Sequence, residues 1–212
     1  MDKITYEELP ELFESVAAIF AEKKDELCDM DAHMGDGDLG LTMNKGFGAL
    51  PGLIKENGVE GDIGKTLMKS GMKMASLVPS TMGTLMSSGL MGAGKAMGSV
   101  PELGAKELSV FFRGFADGVA NRGKNKPGER TITDALEPAA LSAEEAFAGG
   151  GDLKAVIDGA LSGVEKGVEA TKDMLPVKGK AAVFADRAKG VPDQGAVAAK
   201  YLIQGMHNYI SE

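Results

Sequence analysis

Residues 31–40 read DAHMGDGDLG, which places Asp31, Asp36 and Asp38 close together with glycine at 35, 37 and 40. Three carboxylates at this spacing repel one another, and left alone they favour an exposed, mobile loop. A hard divalent cation removes the conflict, and the glycines permit the tight backbone that the clustering requires. Mg²⁺ takes one or two carboxylates and fills the rest of its shell with water and phosphate oxygens. The donor set therefore suits Mg²⁺ shared with a polyphosphate. The alternative is a solvated acidic turn, the commoner fate of an arbitrary Asp-Gly-Asp.

Three other motifs fail on their surroundings. Gly35-x-Gly37-x-x-Gly40 matches a dinucleotide fingerprint, but no strand precedes it, and Asp36 and Asp38 would repel a bare pyrophosphate. Asp36-x-Asp38 also begins like an EF-hand loop, yet Phe47 stands at its twelfth position, where a bidentate Glu is required. Gly89-x-x-x-x-Gly94-Lys95 approaches a P-loop, but Ala96 replaces the Mg-binding hydroxyl and the stretch reads as mid-helix. Small residues there fit close helix packing.

Outward from the acidic loop the chain reads as a series of helices. Thr5-x-x-Glu8 is a capping box, and Leu9, Leu12, Phe13, Val16, Ala17 and Phe20 follow at helical spacing, predicting a helix to about Leu27. A second helix starts near Gly40 and is interrupted at Pro51-Gly52. A third starts near Asp62, and a fourth runs from about Met82 to Met97. A fifth carries Leu108, Phe111, Phe112, Phe115 and Val119. A sixth begins near Thr131 to Thr133, bends at Pro138 and stops at Gly149-Gly150-Gly151. A seventh follows Asp152, and an eighth is capped by Asp193. Short connections make such helices antiparallel neighbours in a bundle or closed barrel. An even number of them gathers the acidic loop, SLVPSTMG, NRGKNKPGER and FADRAKGVPDQG at one end.

Composition agrees with helix packing. Gly (30) and Met (13) are abundant, there is no Trp, and aromatics make up 5%. The net charge of −8 argues against nucleic-acid or anionic-membrane binding, which need basic patches. It does not argue against a nucleotide, because a bound cation inverts the local sign. Cys28 is the single cysteine, so no internal disulfide forms. The N-terminus MDKITYEELPELF lacks the features of a signal peptide, and no apolar stretch approaches about 20 residues. The expectation is one cytoplasmic domain over residues 1–212, since no composition break marks a second.

DAHMGDGDLGLTMNKGF resembles the signature of the ADP-binding (DhaL-type) subunit of dihydroxyacetone kinases: Asp, then Gly-Asp-Gly/Ala-Asp-His-Gly, then Met-Asn-x-Gly. DIGKTLMKSGMKMAS, FRGFADGVANRGKNKPGERTITDALEP and ADRAKGVPDQGA are similar, in order, to later segments of that family. The resemblance implies an all-α fold, a closed barrel of eight antiparallel amphipathic helices with the nucleotide and metal at one rim. It implies ADP or ATP with two Mg²⁺ ions on Asp31, Asp36 and Asp38, which would carry the catalysis. It puts Leu39, Gly40, Leu41 and Thr42 against the nucleotide, with Thr81 and Met82 in the phosphate loop. Gly123 and Ile132 fall near the nucleotide, and Arg187, Asp193, Gln194 and Gly195 fall on a late binding segment. The implied partners are a substrate-binding subunit of the DhaK type and a phosphohistidine carrier of the DhaM type. The bound nucleotide would be rephosphorylated by that carrier and would pass its phosphoryl group to a small ketose or triose on the other subunit.

Departures from the family pattern cluster beside the metals. Asp-His-Gly has become Asp38-Leu39-Gly40. The loop Gly-Gly-Ala/Thr-Ser-Gly reads Pro79-Ser80-Thr81-Met82-Gly83, where Ser80 and Thr81 are the available hydroxyls. The late Asp-Pro-Gly is Asp193-Gln194-Gly195. They leave open a nucleotide-binding regulator without turnover, or a kinase subunit for another substrate. Lys124, Lys126 and Arg130 read as a solvated basic loop. His33 reads as a local hydrogen-bonding group and His207 as structural or exposed, so neither is expected to carry a phosphoryl group.

Overall fold

The computed structural model describes residues 1–177, 182 and 188–212, and they are mostly helical. In chain order come β1 (Ile4–Thr5), α1 (Leu9–Glu22), α2 (Lys24–Ala32), α3 (Leu39–Asn57), α4 (Ile63–Leu77) and α5 (Thr81–Met97). Then follow β2 (Glu102–Leu103), α6 (Ala105–Gly123), α7 (Thr133–Ala148), α8 (Leu153–Ala170), a 3-10 turn (Thr171–Asp173) and α9 (Gln194–Ser211). From α3 onward each long helix packs on the next, α1 packs on α3, and α9 packs on both α8 and α1. A shared apolar core draws on Phe13, Phe47, Leu90, Phe115, Ala139, Val164 and Leu202, all nearly inaccessible to solvent. None of the described helices is long and apolar enough to cross a membrane.

Glycine rows explain how closely the helices approach. A Cβ on Gly163 would lie 2.3 Å from the Pro138 carbonyl oxygen, and one on Gly167 would lie 2.4 Å from that of Asp134. These positions are four residues apart and share one face of α8, so its backbone seats directly on α7. Gly92 and Gly118 do the same between α5 and α6, against the carbonyls of Gly114 and Ser88. The near-P-loop at Gly89 to Lys95 is thus mid-helix packing, with Gly89 lying under the Phe115 ring.

Most helix starts follow their caps. Asp62, Ser80, Asp152 and Asp193 each accept a backbone N–H from three residues on. Three expectations need correction. The Thr5 N–H does donate to Glu8 (2.7 Å), but Thr5 lies in β1, whose Ile4 pairs with Leu103, and the helix begins only at Leu9. That helix does not end at Leu27. It turns at Lys23 and continues as α2, with Lys23 N–H on the Ile19 carbonyl and Leu27 N–H on the Lys23 carbonyl. Of α2 only Leu27 and Asp31 are buried, so its sequence lacks the apolar stripe that would have announced it. Pro51 does not interrupt α3 either. Leu50, Pro51 and Ile54 are all buried, and that packing carries the helix past the hydrogen bond that proline cannot make.

Candidate functional site

Asp31 sits in the last turn of α2, Asp36 in the loop and Asp38 at the N-cap of α3. One oxygen from each of the three carboxylates lies within 4.8 Å of the others. Asp31 is 8% exposed, whereas Asp36 and Asp38 face solvent. Its Oδ2 accepts the N–H of Gly37 (2.9 Å) and of Asp38 (3.1 Å), so one buried carboxylate shapes the loop carrying the other two. Glycine is required twice. A Cβ on Gly35 would lie 2.3 Å from Asp31 Oδ1, and Gly37 has φ +75°. A convergent set of oxygens at this spacing, open to solvent on one side, is able to hold a hard divalent cation.

The start of α3 adds a complementary feature. Asp38 makes no side-chain cap to it, and Leu39, Gly40, Leu41 and Thr42 form its first turn. Backbone N–H groups at such a terminus attract anions. Leu39 and Gly40 are buried, with Gly40 pressed against the Lys24 carbonyl of α2, whereas Leu41 is 56% exposed.

Most of the remaining expected residues stand at helix ends. Val78, which closes α4, packs on Gly46 of α3 and on Gly83 of α5. Thr81 and Met82 open α5, Thr81 exposed and Met82 half-buried. Ser80 Oγ is engaged as the α5 N-cap, accepting the Gly83 N–H at 3.0 Å. Gly123 closes α6 beside Leu85 of α5. Ile132, the buried N-cap of α7, adjoins Gly195 of α9. Gln194 Nε2 donates to Asp31 Oδ1 at 3.3 Å, and Asp193 caps α9 through the Ala196 N–H at 2.9 Å. Arg187 lies outside the described residues. His33 is exposed and bonds the Asp29 carbonyl of its own turn at 2.6 Å, a local contact. His207 bonds Asp158 of α8 at 2.9 Å.

The basic loop holds a residue that sequence reasoning misplaced. Arg130 is not solvated: it is 1% exposed and has φ +56°. Its guanidinium donates to the carbonyls of Thr171 (3.2 Å), Ala188 (3.3 Å) and Val191 (2.8 Å). It also lies 3.8 Å from Asp193 Oδ1 and 4.0 Å from Met34 Sδ. One side chain thus ties the acidic loop, the end of α8 and the start of α9 together. Asp134 folds the same loop by accepting the N–H of Gly128 (2.5 Å) and of Thr131 (2.8 Å). No local signal marked Arg130, because its partners are far along the chain.

Burial pushes the Asp193 carboxyl up to about 6, against the pull of the Ala196 N–H and Arg130. Burial likewise lowers the Arg130 guanidinium, and Asp193 draws it back up. A carboxyl whose folded value exceeds its unfolded one stabilises the fold fully below the unfolded value. That contribution is lost as pH rises through about 6. Asp193→Asn keeps the cap but does not titrate. Its stability relative to wild type, read from melting temperatures, is expected to climb between pH 5 and pH 7.5 by about 1.4 kcal/mol. A constant difference across that range would contradict the assignment.

Comparison with known proteins defines the class. Residues 33–208 match the model of the DAK2 domain. The chain is 31% identical to the ADP-binding subunit DhaL of the PEP-dependent dihydroxyacetone kinase of Escherichia coli, over 88% of each chain. It is 29% identical to the corresponding subunit of kinase 1 from Listeria innocua, over 87% of each. In structure it is similar to the dihydroxyacetone kinase of C. freundii, with TM-score 0.69 and 20% identity, covering 94% of this chain and 34% of that one. The chain belongs to the DAK2 domain family, and it is a DhaL-type subunit. Asp31 precedes the matched residues, so its place in the acidic cluster rests on the geometry above.

Proposed function

We propose that this chain is the nucleotide-binding subunit of a dihydroxyacetone-type kinase. It holds ADP or ATP with two Mg²⁺ ions at the rim of a closed barrel of eight antiparallel helices. The carrying observation is the convergence of the Asp31, Asp36 and Asp38 oxygens beside the first turn of α3. The C. freundii kinase, 21% identical and similar at TM-score 0.68, is known in complex with AMP-PNP and Mg²⁺, which supports both ligands here.

Asp31, Asp36 and Asp38 would hold the metal, which neutralises phosphate oxygens when bound. The N–H groups of Leu39, Gly40 and Leu41 would be offered to the phosphates, with Thr42, whose own N–H bonds the Asp38 carbonyl, completing that turn, and Thr81 and Met82 would lie on the α5 side. Gly123, Ile132, Asp193, Gln194 and Gly195 complete the nucleotide rim. Transfer breaks the bond between the terminal phosphorus and ADP and forms one to a sugar hydroxyl oxygen, whose proton leaves to the partner subunit. The chain's part is to position and neutralise, and it forms no covalent bond to phosphate.

The substrate subunit and a phosphohistidine carrier are proposed as partners, because the relatives matched over most of their length are subunits of PEP-dependent kinases. The sugar is a small ketose. A D-erythrulose kinase of Mycolicibacterium smegmatis, of which this chain spans 32%, is 28% identical, so four-carbon ketoses belong in the assay beside dihydroxyacetone. One observation favours a regulator without turnover: Ser80 already serves as a helix cap in the altered phosphate loop. The deciding experiment mixes the chain, ADP and Mg²⁺ with a substrate subunit and a phosphorylated carrier encoded nearby, and follows sugar phosphate. Formation that needs every component is expected. Nucleotide binding without turnover on any ketose would favour the regulator.

A further inference from the structure

Gln194 stands where the DhaL pattern has proline, and it reaches across the chain to Asp31. Its Nε2 donates to Asp31 Oδ1 at 3.3 Å, while Oδ2 of the same carboxylate already takes the N–H groups of Gly37 and Asp38. The other amide atom, Oε1, is buried and has no hydrogen-bond partner among the described residues. An orphaned buried acceptor is destabilising, and an apolar side chain would fill the same space without that penalty. Packing alone therefore does not explain an amide at this position. What the amide supplies is a neutral donor on the most buried carboxylate of the cluster.

We propose that Gln194 is a positioning residue for the cation site: its Nε2 holds Asp31 Oδ1 in place, and that oxygen keeps a second lone pair with which it would ligate the metal. Each carboxylate oxygen has two lone pairs, so one N–H and one cation share it without competition. The amide adds no charge to a cluster that is already strongly negative, unlike a fourth carboxylate. It also ties the first residue of α9 to the acidic loop, so that metal binding there is coupled to the seating of the last helix. Outer-shell donors of this kind set ligand orientation and influence metal affinity strongly.

The proposal rests on the metal site described under the proposed function, and the test separates the two. Mn²⁺ binding, with ADP and without it, is measured by electron paramagnetic resonance for wild type, Gln194→Leu and Gln194→Pro, alongside melting temperature without metal. Proline is favoured at the first helical position, so Gln194→Pro remains informative if the leucine variant fails to fold. Both variants are expected to bind Mn²⁺ about tenfold more weakly. Their metal-free melting temperatures are expected to match or exceed that of wild type, because the orphaned carbonyl is gone. Wild-type Mn²⁺ affinity in folded variants would overturn the role of Gln194 alone. Weaker binding accompanied by lower metal-free stability would reduce Gln194 to a structural contact and also overturn it. A wild type that binds no Mn²⁺ would remove the metal site itself, and this proposal with it.

Discussion

Asp31→Ala is expected to weaken Mg²⁺-dependent ADP binding by roughly 100-fold or more, the largest loss among the three aspartates. The side chain does two things at once. It contributes one of the three convergent carboxylate oxygens that would hold a cation, and its Oδ2 holds the N–H groups of Gly37 and Asp38, which set the loop. Alanine removes a ligand and releases the backbone that carries the others. Asp36 is exposed and opens no helix, so Asp36→Ala is expected to lose ADP–Mg²⁺ affinity while the melting temperature stays near wild type. Calorimetric titration of ADP with Mg²⁺, paired with thermal melts, checks both variants. Retained affinity in Asp31→Ala would show that the cluster is an acidic turn and nothing more.

Arg130→Ala is expected to lower stability by about 3–5 kcal/mol, the range for removing one partner of a buried ion pair. For a chain of 212 residues that corresponds to a fall of about 6–20 °C in melting temperature. Three carbonyls lose a donor, those of Thr171 and Ala188 in buried bonds, and Asp193 loses the cation paired with it. Because the carboxyl left behind is easier to bury protonated, the loss is expected to grow from pH 6 to pH 8. Arg130→Lys should fall between the two, since an ammonium cannot span donors facing three separate carbonyls. The alanine variant melting like wild type would return Arg130 to the solvated loop in which its neighbours Lys124 and Lys126 lie.

These two residues mark where the sequence was readable and where it was not. The acidic loop could be read because its meaning is local: the three aspartates and the glycines between them lie on a short stretch of chain. Helix starts at Asp62, Asp152 and Asp193 were equally plain, since a cap and the N–H it accepts are three residues apart. Arg130 and Gln194 were opaque because their partners are distant. Arg130 reaches carbonyls 41, 58 and 61 positions away, and Gln194 reaches a carboxylate 163 positions away. A polar loop written NRGKNKPGER gives no hint that one of its cations is buried. Helix α2 was missed for a different reason, because it carries little apolar periodicity and is held by Tyr201 on Glu26 and by Gly40 against Lys24.

The most direct measurement is calorimetry of ADP with the wild-type chain, in Mg²⁺ and again with the cation chelated. Saturable binding in Mg²⁺ that disappears on chelation is the expected result. Binding unaffected by chelation, or no binding in either condition, would contradict a magnesium–nucleotide site at Asp31, Asp36 and Asp38.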